Sequence, residues 1–256
     1  MRISTRILIS LLALLVANAQ QPFFFGANGS ASSPPVAITF VNQATTTGSG
    51  TLTVPSVGSL NCTGANWYFV IIAAGGGVGP SNISDTGGVG YFQTVGGVAA
   101  SFIDSGSGGS IEAAWKPGVT GSATEVWTIT STSLAQVIVG CFAGVLNSND
   151  GDALVGANNN CTYSTTATCQ PGSTTPSAGG DLFLRADVIF SAGAQTLSID
   201  SSYTGLTYSL GSGGTFYGIV FSYLIASGSG AENPKVTASS NLDFPGTGFN
   251  VAFKHQ

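Results

Sequence analysis

The stretch that decides the fold is residues 181–190, DLFLRADVIF, because side chains of different character alternate along it. The alternation places two sets of side chains on opposite faces: Leu182, Leu184, Ala186 and Val188 on one, and Phe183, Arg185, Asp187 and Ile189 on the other. A period of two residues with one wetter face is typical of an antiparallel strand that buries one side. We therefore expect a strand here, with the Arg185 face as the wetter one.

The same period recurs along the chain. In residues 123–130, ATEVWTIT, the side chains of Glu125, Trp127 and Ile129 point one way and those of the intervening residues point the other. Similar short runs, bounded by Gly, Pro, Asn and Ser, predict further strands. They lie near residues 36–41, 50–54, 67–74, 98–103, 110–116, 134–145, 195–199, 206–210, 215–226, 234–239 and 248–254. Because no stretch after the N-terminus keeps a helical period, we predict an all-β, antiparallel two-sheet sandwich of the jelly-roll kind, with little or no helix.

The chain carries very little charge. Charged residues make up 7% of the sequence, against about 25% in ordinary soluble domains. Basic residues are few and not clustered, so nucleic acid is not an expected partner. So few charged side chains give little scope for acid–base catalysis. They also leave sheet edges without the charged residues that usually prevent edge-to-edge pairing. We therefore expect a protein that is not an enzyme.

The N-terminus predicts export and divides the chain. Residues 1–19 combine Arg2 and Arg6, an apolar run too short to span a membrane, and an Ala-Asn-Ala site, as in a secretory signal peptide. We expect residues 20–35 to form a flexible arm and residues 36–256 a single β-sandwich domain. A long polar insertion is predicted near residues 146–180, and no later segment resembles a transmembrane helix. The predicted localisation is secreted, extracellular or at the cell surface.

Export makes disulfides and glycosylation chemically possible. Cys161 and Cys169 bracket a polar loop, and we predict that they pair. Cys62 lies in a polar turn and Cys141 in an apolar strand; they either pair, or Cys141 is a small buried apolar side chain. The candidate glycosylation sites, each starting an Asn-x-Ser/Thr sequence, are Asn28, Asn61, Asn82 and Asn160.

Four side chains carry the remaining candidate binding chemistry. Trp115, which precedes Lys-Pro near a strand end, and Tyr91 are the ligand-binding candidates, whereas Trp67 is expected in the core. Asp150 and Asp152, in an Asn/Asp-rich loop, are the candidate calcium ligands, although such clusters are first of all turn formers. No other cofactor is expected.

Catalytic motifs find little support. Glu112 and Glu125 lie on successive predicted strands and would be the carboxyl pair of a carbohydrate hydrolase if they met across a sheet, but solvent-facing strand positions explain them as well. His255, the single histidine, lies next to the C-terminus, where chains are usually loose, which disfavours a Ser-His-Asp triad.

The order of motifs resembles a known group of domains. The segments are ITFVNQATTTGSGTLTV, WYFVIIAA, AAWKPGVTGSATEVWTIT, LAQVIVGCFAGV and PGSTTPSAGGDLFLRADVIF, which contains Thr175-Pro176 and Gly180-Asp181. They resemble the jelly-roll domains of phage tail-associated and secreted bacterial proteins, which are similar to concanavalin A-like lectin/glucanase sandwiches. The resemblance covers roughly residues 36–254, and it implies a role in surface attachment or assembly.

Together these observations predict a secreted, non-catalytic surface or matrix protein that binds extracellular glycans or other copies of itself. One alternative is a filament subunit whose N-terminal arm donates a strand to its neighbour. The other is a hydrolase that uses Glu112 and Glu125.

Overall fold

Sixteen strands build the described part of the chain. The computed structural model describes residues 36–74, 81–91, 94–95, 98–99, 101–103, 110–147, 153–155, 168–170, 172–191, 197–200, 202–210, 216–238 and 244–256. The strands, numbered in chain order, are β1 Thr39–Val54, β2 Trp67–Ala74, β3 Ser81–Asp85, β4 Thr94–Val95, β5 Val98–Ala99, β6 Ser101–Ile103, β7 Ser110–Pro117, β8 Trp127–Ala143, β9 Ala153–Val155, β10 Thr168–Cys169, β11 Leu182–Ser191, β12 Leu197–Ile199, β13 Thr204–Leu210, β14 Phe216–Ile225, β15 Val236–Ala238 and β16 Phe244–Phe253. These residues contain no helix, and hence none that is long and apolar enough to cross a membrane.

The first sheet is organised around the long strands β1 and β8. Its order is β1-β8-β2-β7-β6, with β3 added to β8. The C-terminal half of β8 lies between β1 and β2, whereas its N-terminal half, from Trp127, lies between β1 and β3. Separate strands were predicted on each side of residues 42–49 and 131–133. Each pair is instead one continuous strand, because a register shift between Gly48 and Gly50 takes up the bend that a turn would have made.

The second sheet has the order β13-β14-β11-β16-β9 and packs face to face on the first. Phe69 of β2 stacks on Phe221 of β14 with ring centroids 4.7 Å apart, and Trp67 meets Phe253 of β16 at the same separation. The predicted apolar face of β11, which includes Leu182 and Val188, lies in this core. The all-β sandwich is therefore confirmed, as is the core position of Trp67. The finer jelly-roll order stays a prediction.

The prediction of a wetter face on the other side of β11 is wrong. Arg185 and Asp187 were placed on the wetter face, yet both are 0% exposed. Asn250 stands opposite Arg185 on β16 and donates a hydrogen bond to the carbonyl oxygen of Glu232 at 3.3 Å. On the same sheet, Phe183 packs with Tyr203 in a second apolar cluster. Segments around residues 174, 203 and 232 thus cover this face, so β11 is buried on both sides.

The outer face of the first sheet is also covered. The part of the β1–β8 pair that contains Leu52 and Trp127 packs back over β2. Tyr68 of β2 therefore meets Trp127 edge-to-face, with ring centroids 5.3 Å apart. The described residues from Val36 onwards belong to one compact unit. Residues 1–19 and 20–35, predicted as signal peptide and arm, lie outside the described residues.

Candidate functional site

A polar cleft opens where β2 and β7 meet the end of β3. Its volume is about 220 Å³, and its chemistry comes from Tyr68, Asp85, Lys116 and Glu125. Antiparallel pairing of β2 with β7 places Tyr68 directly opposite Lys116. The last residue of β3 is Asp85, and the Glu125 backbone is held by two hydrogen bonds to Leu60, at 2.8 and 2.9 Å.

Asp85 is the centre of a hydrogen-bonded network. Its carboxylate lies 2.9 and 3.0 Å from the Lys116 ammonium, which also donates to the Gly88 carbonyl oxygen at 3.3 Å. The same carboxylate accepts bonds from the Gly87 N–H at 2.7 Å and from the Tyr91 hydroxyl at 2.8 Å. The Asp85 side chain is 1% exposed and that of Lys116 is 16% exposed. The network therefore fixes the ammonium group at the wall of the cleft.

Tyr91 holds this network in place through its hydroxyl group. Its hydroxyl accepts a hydrogen bond from the Trp127 indole N–H while it donates to Asp85, and the Lys116 ammonium lies 5.6 Å from its ring centroid. Tyr91 was predicted as a ligand-binding residue. The structure brings it to the candidate site as a residue that positions Asp85 and Lys116.

Two buried polar atoms at the cleft make no hydrogen bond of good geometry with another described group. They are the hydroxyl of Tyr68 and Oε2 of Glu125, in residues that are 2% and 5% exposed. Burial raises the pKa of Tyr68 above its ordinary value, and the Glu125 carboxyl, which lies close enough to interact with the phenol, raises it further. The phenol therefore stays neutral and keeps its proton to donate. A buried polar group without a good hydrogen bond costs about 1–3 kcal/mol, so a polar ligand that reached these atoms would gain most there.

Buried and partly buried tyrosines give this fold a testable alkaline limit. Burial is the main cause that raises the pKa values of Tyr68, Tyr91 and Tyr203, and nearby carboxylates add to it. An unfolded phenol ionises near pH 10, so stability from these groups is full below about pH 10 and is lost as pH rises further. In the native protein, we expect at least three of the seven tyrosines to stay un-ionised above that pH by ultraviolet absorbance. In urea all seven should titrate normally, and a native titration identical to that in urea would contradict the assignment.

Trp115 lies in the core and not at a wet strand end. It was predicted to be wet, but it is 1% exposed and meets Phe253 at a ring-centroid distance of 5.1 Å. The reason is register: Trp115 stands opposite Phe69 and therefore points into the core between the two sheets. Lys116, its neighbour, points the other way and reaches the cleft.

Glu112 and Glu125 do not meet across a sheet. Glu112 lies on β7, opposite Ile72 and Ser101, whereas Glu125 precedes β8 and bridges Leu60. Both residues are buried, at 7% and 5% exposure, so the solvent-facing interpretation is wrong as well. Only Glu125 reaches the cleft.

His255, expected in a loose C-terminal segment, is held in place by contacts with the rest of the domain. His255 forms a β-bridge with Val145, and its Nδ1 lies 2.9 Å from Oδ1 of the buried Asp181. This resembles two members of a hydrolase triad, and the Ser177 hydroxyl donates to Oδ2 of the same carboxylate at 3.2 Å. In a catalytic triad the serine bonds to the imidazole and the carboxylate orients the imidazole, so this contact of Ser177 with Asp181 is not the one that activates a serine.

The cysteine prediction is settled for one pair. Cys62 and Cys141 form a disulfide, with Cα atoms 6.0 Å apart and a sequence separation of 79. Such bonds are typical of proteins that fold in oxidising compartments. Cys161 lies outside the described residues, so its pairing with Cys169 stays a prediction.

The modification and calcium candidates divide between described and undescribed residues. Asn61 and Asn82 are exposed, as glycosylation requires, and Asn61 accepts a bond from the Thr63 N–H at 3.0 Å. Asn28 and Asn160 lie outside the described residues, as do Asp150 and Asp152. In the part of the chain that the structure covers, no three His, Cys, Asp or Glu side chains converge on one point.

No protein-family model matches the chain, and neither a search of curated proteins nor a search of solved structures returns a match. The resemblance to phage tail-associated and concanavalin A-like domains therefore stays an expectation. Sequence reasoning missed Asp85 and Lys116 as site residues. The one signal it offered was scarcity, since Asp85 is the first charged residue after Arg6.

Proposed function

We propose that this protein is a secreted, non-catalytic surface or matrix protein that attaches to extracellular glycans through the cleft of Tyr68, Asp85, Lys116 and Glu125. The proposal is supported above all by one observation: Tyr68 and Glu125, which both line the cleft, each carry a buried polar atom that makes no well-formed hydrogen bond with the described residues. The disulfide and the signal-like N-terminus support the extracellular setting.

A carbohydrate hydroxyl suits these atoms because it both donates and accepts hydrogen bonds. The Tyr68 phenol can do the same, the Glu125 carboxyl accepts, and the Lys116 ammonium donates. At about 220 Å³ the cleft is smaller than the roughly 300–1,000 Å³ of pockets for drug-sized ligands. We therefore expect it to take a single sugar ring at a chain end or branch, rather than an extended oligosaccharide.

The hydrogen bonds that Asp85 accepts favour binding over hydrolysis. Asp85 and Glu125 both line the cleft, and glycosidases use a pair of carboxyl groups. Asp85, however, already accepts bonds from Lys116, Gly87 and Tyr91, which commits its oxygens to the protein. A carboxylate held in this way serves as an anchor for Lys116 better than as a nucleophile or base.

Removing either of these two polar groups should weaken glycan binding. We expect Tyr68→Phe and Glu125→Gln each to lower the affinity for a sugar found on a glycan array by about 10–100-fold, the value of one hydrogen bond to a charged or buried group. Isothermal titration calorimetry measures this change. The matched control is Glu112→Gln, since Glu112 is an equally buried glutamate that does not line the cleft.

Three results would count against the proposal: an array without hits, Tyr68→Phe and Glu125→Gln that bind as the wild type does, or a Glu112→Gln variant that loses as much affinity as they do. Release of reducing ends from a bound polysaccharide, abolished by Glu125→Gln, would instead support the hydrolase alternative.

A further inference from the structure

Strand β1 lies at the end of its sheet and is unusually long. It has 16 residues, and within the described residues it pairs with β8 alone, on one side. An edge strand presents a row of backbone N–H and C=O groups that another strand can pair with. Register shifts between Phe40 and Asn42 and between Gly48 and Gly50 divide β1. The regular part between them, Asn42–Gly48, reads NQATTTG.

This edge carries none of the residues by which proteins usually protect a free strand. No Asp, Glu, Lys or Arg occurs anywhere in residues 36–84, and β1 contains no proline. Its partner β8 is equally free of charge. Natural edges are blunted by charged side chains, proline or bulges, and here only the two bulges remain, one at each end of Asn42–Gly48. A short, uncharged, proline-free segment of this type is also typical of strands that pair with copies of themselves.

We propose that Asn42–Gly48 pairs edge to edge with the same segment of a second copy, joining the two first sheets into one. A two-fold axis through Thr45 makes the antiparallel match self-complementary, because Ala44 then faces Thr46 and Gln43 faces Thr47. Thr45 then faces Thr45 of the second copy, and Thr–Thr neighbours across strands are favourable pairs. No like charges meet, since the segment has none.

This interface is separate from the glycan cleft. Asp85 lies on β3, which pairs with one side of β8, while β1 occupies the other side. The inference therefore does not depend on the proposed function, and failure of one leaves the other standing.

The test is the association state of the full secreted chain. The wild type should form dimers whose fraction rises with concentration in sedimentation velocity. Thr45→Lys/Thr47→Lys adds charge at two exposed edge positions and should raise the dimer dissociation constant at least tenfold. The control, Thr128→Lys, adds a lysine at an exposed position of the central strand β8 and should dimerise as the wild type does. Circular dichroism verifies that each variant is folded.

A second variant tests the register and does not depend on the charged pair folding. Facing residues of antiparallel strands have Cα atoms about 4.5–5.5 Å apart, within disulfide range. Thr45→Cys should therefore form a covalent dimer under mild oxidation, and Thr128→Cys should not. A wild type that stays monomeric, a charged variant that dimerises undiminished, or a Thr45→Cys dimer that does not cross-link would each overturn the proposal.

Discussion

Replacing Arg185 with Met is expected to destabilise the fold by about 3–5 kcal/mol in urea unfolding. Arg185 donates from Nε and Nη2 to the two carboxylate oxygens of Asp187, at 2.8 and 2.6 Å, and both side chains are 0% exposed. Gly248, opposite Asp187 on β16, leaves room for that carboxylate, because a Cβ there would collide with it. Without the guanidinium, the protein would hold an uncompensated charge between two layers.

The loss should depend on pH in one direction. Burial raises the pKa of Asp187, and Arg185 opposes that rise. In Arg185→Met the opposition is gone, so the folded pKa lies well above the unfolded value of about 3.9. A group with a raised folded pKa is destabilising only when pH exceeds its unfolded pKa. The variant should therefore be close to the wild type near pH 4 and lose stability as pH rises towards neutrality.

The double variant Arg185→Met/Asp187→Leu is the matched control. Because it removes both charges together, it should recover most of the stability, as apolar replacements of buried ion pairs often do. A single variant that loses less than about 1 kcal/mol at neutral pH, or a double variant that is no better than the single one, would contradict the assignment of a buried ion pair.

The alternation of residues 181–190 predicted the strand and its core face, but not what covers the opposite face. That cover comes from residues around 174, 203 and 232, which local periodicity cannot place against β11. One local signal did exist: opposite charges at Arg185 and Asp187 lie two apart, on the same face of a strand. In a chain with so few charged residues, opposite charges on one face of a strand indicate an ion pair.

The candidate site was harder to predict because it depends on register. Tyr68 and Lys116 become neighbours when β2 pairs with β7, and a shift of one residue would turn both side chains to the opposite face. The same register buries Trp115, which its Lys-Pro neighbours had suggested was wet. A β-bridge to Leu60, which lies 65 residues earlier in the sequence, holds Glu125 at the cleft. No sequence motif predicts that contact.

Removal of the Cys62–Cys141 disulfide is expected to cost about 3–5 kcal/mol, because cross-linking a loop of this length removes much of the freedom of the unfolded chain. The bond joins the segment before β2 to the C-terminal end of β8, at a sequence separation of 79, and both cysteines are 0% exposed. The variant Cys62→Ala/Cys141→Ala should show the loss in urea unfolding under oxidising conditions.

Reductant separates this disulfide from the predicted second one. If Cys62–Cys141 carries the effect, dithiothreitol should bring the wild type close to the oxidised double variant in stability. Any further loss when dithiothreitol is added to the double variant measures a bond between Cys161 and Cys169, and Cys161→Ser in that background should remove it. A double variant as stable as the wild type would mean that packing and backbone bonds, such as those of Cys62 to Ser122 and of Leu60 to Glu125, hold the Cys62 segment in place without the disulfide. In that case the position of Glu125 would not depend on the disulfide, and the glycan binding proposed for the cleft should survive reduction unchanged.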